Sequence, residues 1–206
     1  MGNGRLKPSA TAYWDSVAET FRFPGVGRAS FEDRGLSLPK INMVHSYRRF
    51  LRKRHRLPRE LYSGPKVYYL TICTSGKRQL LTTKKVVNGM IKVLRAVAEK
   101  HDFAVIVYVF MPDHLHLLTR AGENSNLIAF VREFKQKTGY CYKREYGGTL
   151  WQKSFYDHIV RKDEDISEIT KYILWNPVRK GLVEDAEKYP FSGSFVFGED
   201  VLDVII

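Results

Sequence analysis

The stretch VYVFMPDHLHLLTR, residues 107–120, decides how the rest of the chain is read. An apolar run ends at Pro112-Asp113, and a second apolar run follows it, interrupted by His114 and His116. β-Branched and aromatic residues on both sides of a Pro-Asp step are the pattern of two strands joined by a tight turn. Residues i and i+2 of a strand point to one face, so the imidazoles of His114 and His116 stand side by side while Leu115 turns the other way. Two imidazoles on one face suit two ligands of one metal ion. The plainer reading is a pair of exposed or hydrogen-bonded histidines, and the spacing alone leaves both open.

Working outward, KVYYLTICT (66–74) has the composition of a strand. TTKKVVNGMIKVLRAVAEKH (82–101) carries apolar residues at helical spacing, with Thr82 or Thr83 available as N-cap. FAVIVYVF (103–110) and HLHLLTR (114–120) are the second and third strands. NSNLIAFVREFKQKTGYCYKRE (124–145) predicts a second helix starting at Asn124 or Ser125, and LWQKSFYDHIVR (150–161) a fourth strand. DEDISEITKYILWNPVRKGL (163–182) predicts a third helix, acidic in its first turn and basic near its end, as the helix dipole favours, with Pro177 and Gly181 marking where it stops. The order β-α-β-β-α-β-α predicts an α+β fold: a ferredoxin-like (RRM-like) antiparallel sheet with helices on one face. Many functions share that architecture, so the fold does not choose among them.

Three divisions follow. Residues 1–45 form an irregular extension with Pro and Gly at short intervals. Residues 46–63 are a basic segment, and residues 64–206 the globular domain. Arg48, Arg49, Arg52, Lys53, Arg54, Arg56 and Arg59 crowd into the basic segment, a density that attracts phosphates. The whole chain carries a formal charge of +12 and a pI of about 9.7, which points to a polyanionic partner, most simply nucleic acid.

Other classes are set aside. No apolar run approaches the roughly 20 residues of a membrane helix, and the N-terminus has neither a secretory h-region nor the pattern for myristoylation. With two cysteines in 206 residues, a disulfide framework is not expected; a reducing cytoplasmic setting is, with Cys73 and Cys141 as small buried residues. There is no P-loop and no dinucleotide fingerprint, so nucleotide-driven chemistry is not expected.

Two further groups could carry chemistry. Tyr172 and Asn176 are i and i+4 on the third helix and share a face, although a core-edge tyrosine and a helix-ending Asn-Pro are the ordinary reading. Trp151, Phe155 and Tyr156 read as packing residues with base stacking as the alternative, and His158 as structural.

Together, MPDHLHLL, LWQKSFYDHIVR and YILWNPVRKGLV, in that order and spacing, resemble the single-tyrosine HUH transposases, and among them the REP-associated tyrosine transposases of bacteria. The resemblance spans about residues 58–195 and leaves the first 45 uncovered. It implies a ferredoxin-like fold, His114 and His116 as metal ligands, Tyr172 as nucleophile and Asn176 as third ligand, with Tyr156 as an alternative nucleophile. It further implies Mg²⁺ or Mn²⁺ as cofactor, no nucleotide cofactor, and single-stranded DNA with hairpin structure as partner. Cleavage would run through a covalent 5′-phosphotyrosine. A tyrosine has a reference pKa of about 10, so the phenol needs help from a metal, a cation or a base. Two competing readings keep the same fold: a non-catalytic nucleic-acid-binding module, and a metal-dependent phosphodiesterase that uses water. Monomer and homodimer both remain open.

Overall fold

A computed structural model of the chain describes residues 58–161 and 166–197. The expectations for residues 1–45 and for Arg48, Arg49, Arg52, Lys53, Arg54 and Arg56 lie outside the described residues. Among the described residues no helix is long and apolar enough to cross a membrane.

Five antiparallel strands form one sheet in the order β4-β1-β3-β2-β5. They are β1 (Val67–Cys73), β2 (Phe103–Met111), β3 (His114–Ala121), β4 (Tyr156–Val160) and the two-residue β5 (Ser192–Gly193). Four helices accompany them: α1 (Lys84–Lys100), α2 (Leu127–Tyr146), α3 (Ile166–Leu174) and α4 (Asn176–Arg179). The first four strands and two helices are the ferredoxin-like arrangement that the sequence predicts. Each β-α-β crossover passes over one intervening strand, and β3 therefore lies between β1 and β2.

Register sorts the side chains. His116 pairs with Thr71 on one side and Val109 on the other, and His114 with Cys73 and Met111. Tyr156 and His158 oppose Thr71 and Tyr69. Opposed residues share a face, so one face carries Tyr69, Thr71, Cys73, His114, His116, Val109, Met111, Tyr156 and His158. The other carries Tyr68, Leu70, Ile72, Leu115 and Leu117, all buried.

Helices α1 and α2 cover that second face. α1 starts at Thr83, whose hydroxyl accepts from Val86 N at 3.4 Å, and it turns Val87, Met90, Leu94 and Val97 inward. α2 starts two to three residues later than expected, because the capping side chain is Asn126: its Oδ1 accepts from Ala129 N at 2.9 Å. Phe130 of α2 stacks on Phe103 of β2 with ring centroids 4.5 Å apart. Helices α3 and α4 pack against β2 and β3, and the charge of Arg179 acts on His116, which sets them over the histidine face. Cover from both sides is why all nine residues of FAVIVYVFM are buried, an unbroken apolar strand rather than an alternating one.

The tip of the central hairpin is bound to its surroundings. Pro112 O accepts from Leu81 N at 2.9 Å, and Asp113 O accepts from Thr74 N at 2.9 Å and from Thr74 Oγ1 at 3.0 Å. By contrast, α2 ends in Gly147-Gly148, both exposed and both at positive φ (73° and 71°), where an added Cβ would meet nothing.

Three details differ from the sequence reading. Residues 150–155 are not continuous strand: Trp151 makes an isolated antiparallel bridge to Thr74 and Gln152 N donates to Cys73 O, then Lys135 Nζ donates to the carbonyls of Gln152 (2.6 Å), Lys153 (3.0 Å) and Ser154 (3.5 Å), and the strand itself is Tyr156–Val160. The single helix over 163–182 breaks at Trp175. Pro177 has no N–H to continue α3 but fits the first turn of α4. Cys141 is exposed on α2 and Cys73 only half-buried, so neither is the small core residue expected; both thiols are free.

Candidate active site

His114 and His116 project from β3 as the alternation requires, and their Nε2 atoms are 2.9 Å apart. Each ring is held at its other nitrogen. His114 Nδ1 lies 2.6 Å from Asp113 Oδ1. A carboxylate only accepts, so Nδ1 carries the proton and Nε2 presents a lone pair. His116 Nδ1 lies 2.9 Å from Tyr69 Oη and 3.2 Å from Thr71 Oγ1, and the Tyr69 ring stacks on the imidazole at 5.7 Å. Burial, aided by His114 and Arg179, drives the His116 proton affinity well below that of an ordinary histidine. His116 is therefore neutral at physiological pH, the state in which imidazole ligates.

Two orienting hydrogen bonds on the far nitrogens, with both near nitrogens converging, is the outer-shell pattern of metal-bound histidines. Two nitrogens at about 2.1 Å from one ion and at right angles would be roughly 3 Å apart, which the observed 2.9 Å matches. The donor set fits a divalent cation. Among the described residues no group of three or more His, Cys, Asp and Glu side chains is placed to hold a metal.

Asn176, the third ligand that the resemblance implies, is a helix residue. It is 5% exposed, at the start of α4. Its Nδ2 donates to Tyr172 O at 3.2 Å, and its Oδ1 accepts from Arg179 Nη2 at 2.8 Å. Tyr172, half-buried on α3, has the guanidinium of Arg179 over its ring at 3.9 Å. The structure thus assembles two groups, His114 with His116 and Tyr172 with Asn176, and Arg179 touches both members of the second.

Tyr156 is on the histidine face, 6.3 Å from the Tyr69 ring centroid-to-centroid. His158 lies next to it on the edge strand, opposite Tyr69. Trp151 is buried, as expected of a packing residue, and donates from Nε1 to Thr138 Oγ1 at 2.8 Å. Arg59 begins a short 3-10 turn ahead of β1. Sequence reasoning missed Asp113, Tyr69 and Thr71. Asp113 was readable as the neighbour of His114. Tyr69 and Thr71 share a strand face by their i, i+2 spacing, but only the β1–β3 register brings them to His116.

Known proteins resemble this chain in fold and in sequence. A solved REP-associated tyrosine transposase bound to a REP hairpin has the same fold, with a TM-score of 0.57 at 24% identity over 68% of this chain and 81% of that one. The sequence model of the family described as "Transposase IS200 like" matches residues 65–176, and the chain belongs to that family. A putative REP-associated tyrosine transposase of Haemophilus influenzae is 28% identical over 140 residues, 61% of this chain and 78% of that protein. A REP-associated tyrosine transposase of Escherichia coli K12 is 29% identical over 139 residues, 65% and 79%. The chain is accordingly an enzyme, a tyrosine transposase of the IS200/REP-associated family.

Proposed function

We propose that this transposase cuts and rejoins single-stranded DNA beside hairpins of the REP type, with Tyr172 as nucleophile and with His114, His116 and Asn176 holding Mg²⁺ or Mn²⁺. The observation that carries the reading is the converging Nε2 pair, each imidazole fixed at Nδ1 by a separate partner. When bound, the divalent ion supplies positive charge that polarises the scissile phosphate. The phenol oxygen of Tyr172 gives up its proton and attacks phosphorus. The P–O3′ bond breaks, the leaving O3′ takes a proton, and the 5′ phosphate stays on the tyrosine. Rejoining reverses these steps with an incoming 3′-OH, and since the phosphoester bond is kept on the protein, no nucleotide cofactor is needed. The basic segment, Arg48 to Arg59, contributes phosphate contacts, and the protein acts in the cytoplasm, where its DNA is.

The test uses hairpin oligonucleotides from the DNA flanking the gene, incubated with Mn²⁺ and separated on a denaturing gel. The wild type gives a slow covalent band, and Tyr172→Phe binds the same DNA without giving it. Cleavage without the band would transfer the attack to water. A band of normal yield in Tyr172→Phe would move the nucleophile elsewhere, with Tyr156 next to be changed.

A further inference from the structure

Arg179 holds both Tyr172 and Asn176. Its Nη2 donates to Asn176 Oδ1 at 2.8 Å and to Tyr172 O at 3.1 Å, and its guanidinium covers the Tyr172 ring at 3.9 Å. A guanidinium has only donors, which fixes the amide of Asn176 with its oxygen toward Arg179 and its nitrogen toward the Tyr172 carbonyl. The carboxamide oxygen is the atom a hard divalent cation takes from such a residue. It therefore already serves one cation, and a second at the same oxygen is repelled by the first. Arg179 is itself exposed, at the end of the four-residue α4, while Asn176 beneath it is buried. The guanidinium can leave without opening the core.

We propose that Arg179 is a latch on this site: without DNA it occupies Asn176 Oδ1 and covers Tyr172, and an incoming phosphodiester draws it off both at once. Phosphate is the stronger partner, because it offers a charge and two oxygens to the planar fork of arginine, whereas Asn176 offers one neutral oxygen. The same displacement completes the metal's donor set and uncovers the phenol ring. Metal loading and DNA binding are then coupled, and each raises the affinity of the other by one common factor. This rests on the reading of Asn176 as third ligand given above. Arg179 is a positioning residue in this scheme, acting through Asn176 and Tyr172.

The experiment measures Mn²⁺ binding to the full chain by the electron paramagnetic resonance of free Mn²⁺, in a Tyr172→Phe background so that DNA is not consumed. It is run with and without a hairpin oligonucleotide. Releasing a charge-assisted hydrogen bond predicts that Arg179→Gln binds Mn²⁺ about tenfold more tightly without DNA, and that the gain produced by DNA shrinks by the same factor. Loss of a nearby charge would also favour Mn²⁺, so the deciding comparison repeats Arg179→Gln in Asn176→Ala. The latch predicts that most of the gain is lost there, and a persisting tenfold gain overturns it. Unchanged Mn²⁺ affinity in Arg179→Gln while His114→Ala loses binding overturns the latch alone. Unchanged binding in His114→Ala overturns the metal site, and the latch with it.

Discussion

Asp113→Asn isolates the role of a side chain that the chemistry never touches. Asp113 Oδ1 is 2.6 Å from His114 Nδ1, and it both selects the tautomer and strengthens Nε2 as an electron donor. Asparagine keeps the shape and can still accept through its own oxygen, but it loses the charge and can turn its NH₂ toward the ring. Outer-shell substitutions of this kind lower metal affinity about 10- to 100-fold, or roughly 1.4 to 2.8 kcal/mol. The Asp113 side chain is 33% exposed, so solvent already weakens the interaction and the lower end, about tenfold, is expected. Folding should be unaffected, since the structural bonds from Thr74 go to the Asp113 carbonyl and not to its carboxylate. The assay is Mn²⁺ titration of folded protein, with a thermal melt alongside. A variant that melts like wild type and binds Mn²⁺ equally well would refute the argument that Asp113 prepares His114 as a ligand.

Other outcomes follow from the structure and the sequence. Thr138→Val strands the buried Trp151 indole N–H, which donates to the Thr138 hydroxyl; a loss of about 1–3 kcal/mol, or roughly 2–10 °C in Tm, is expected in thermal denaturation. Glu133 accepts from Lys100, His101 and Lys137, which hold its carboxyl down to about 2 from an ordinary value of 4.5. A carboxyl depressed on folding stabilises above its unfolded pKa and loses that contribution as pH falls toward its folded one. Acid titration of stability should therefore fall between about pH 4.5 and 2, and Glu133→Gln should flatten that limb. Changing Arg52 and Arg54 to Ala should reduce the salt slope of single-strand binding by about 0.7 for each phosphate no longer neutralised; an unchanged slope in a binding titration would remove the segment from the DNA surface.

The sheet was legible because its strands are bounded by Pro, Gly and Asp and separated by helices of clear period. The order β-α-β-β-α-β leaves few ways to pair them. His114 and His116 were legible for the same reason: alternation alone sets them on one face. Other features depend on segments distant in the chain coming together. Residues 150–155 alternate like a strand, yet the carbonyls of Gln152, Lys153 and Ser154 go to Lys135, a residue of α2 that no local pattern connects to them. β5 is two residues long, and its Gly193 is required because a Cβ there would come within 2.6 Å of Tyr108 Oη. Arg179 could be noticed from the sequence as a cation near Asn176. That it donates to the amide and covers the tyrosine is a matter of side-chain geometry, which spacing alone does not give.

The turn at Pro112-Asp113 bears on where this chain can change length. Both of its carbonyls are tied to neighbouring loops, and its carboxylate orients His114. One residue inserted there would shift β3 against β1 and β2 and turn both imidazoles to the opposite face. Gly147-Gly148 is the reverse case: exposed, already in the left-handed region, with open space around it. A fusion partner or peptide tag belongs there, at the end of α2, and natural variation in loop length should collect at the same point while the four residues MPDH keep their spacing.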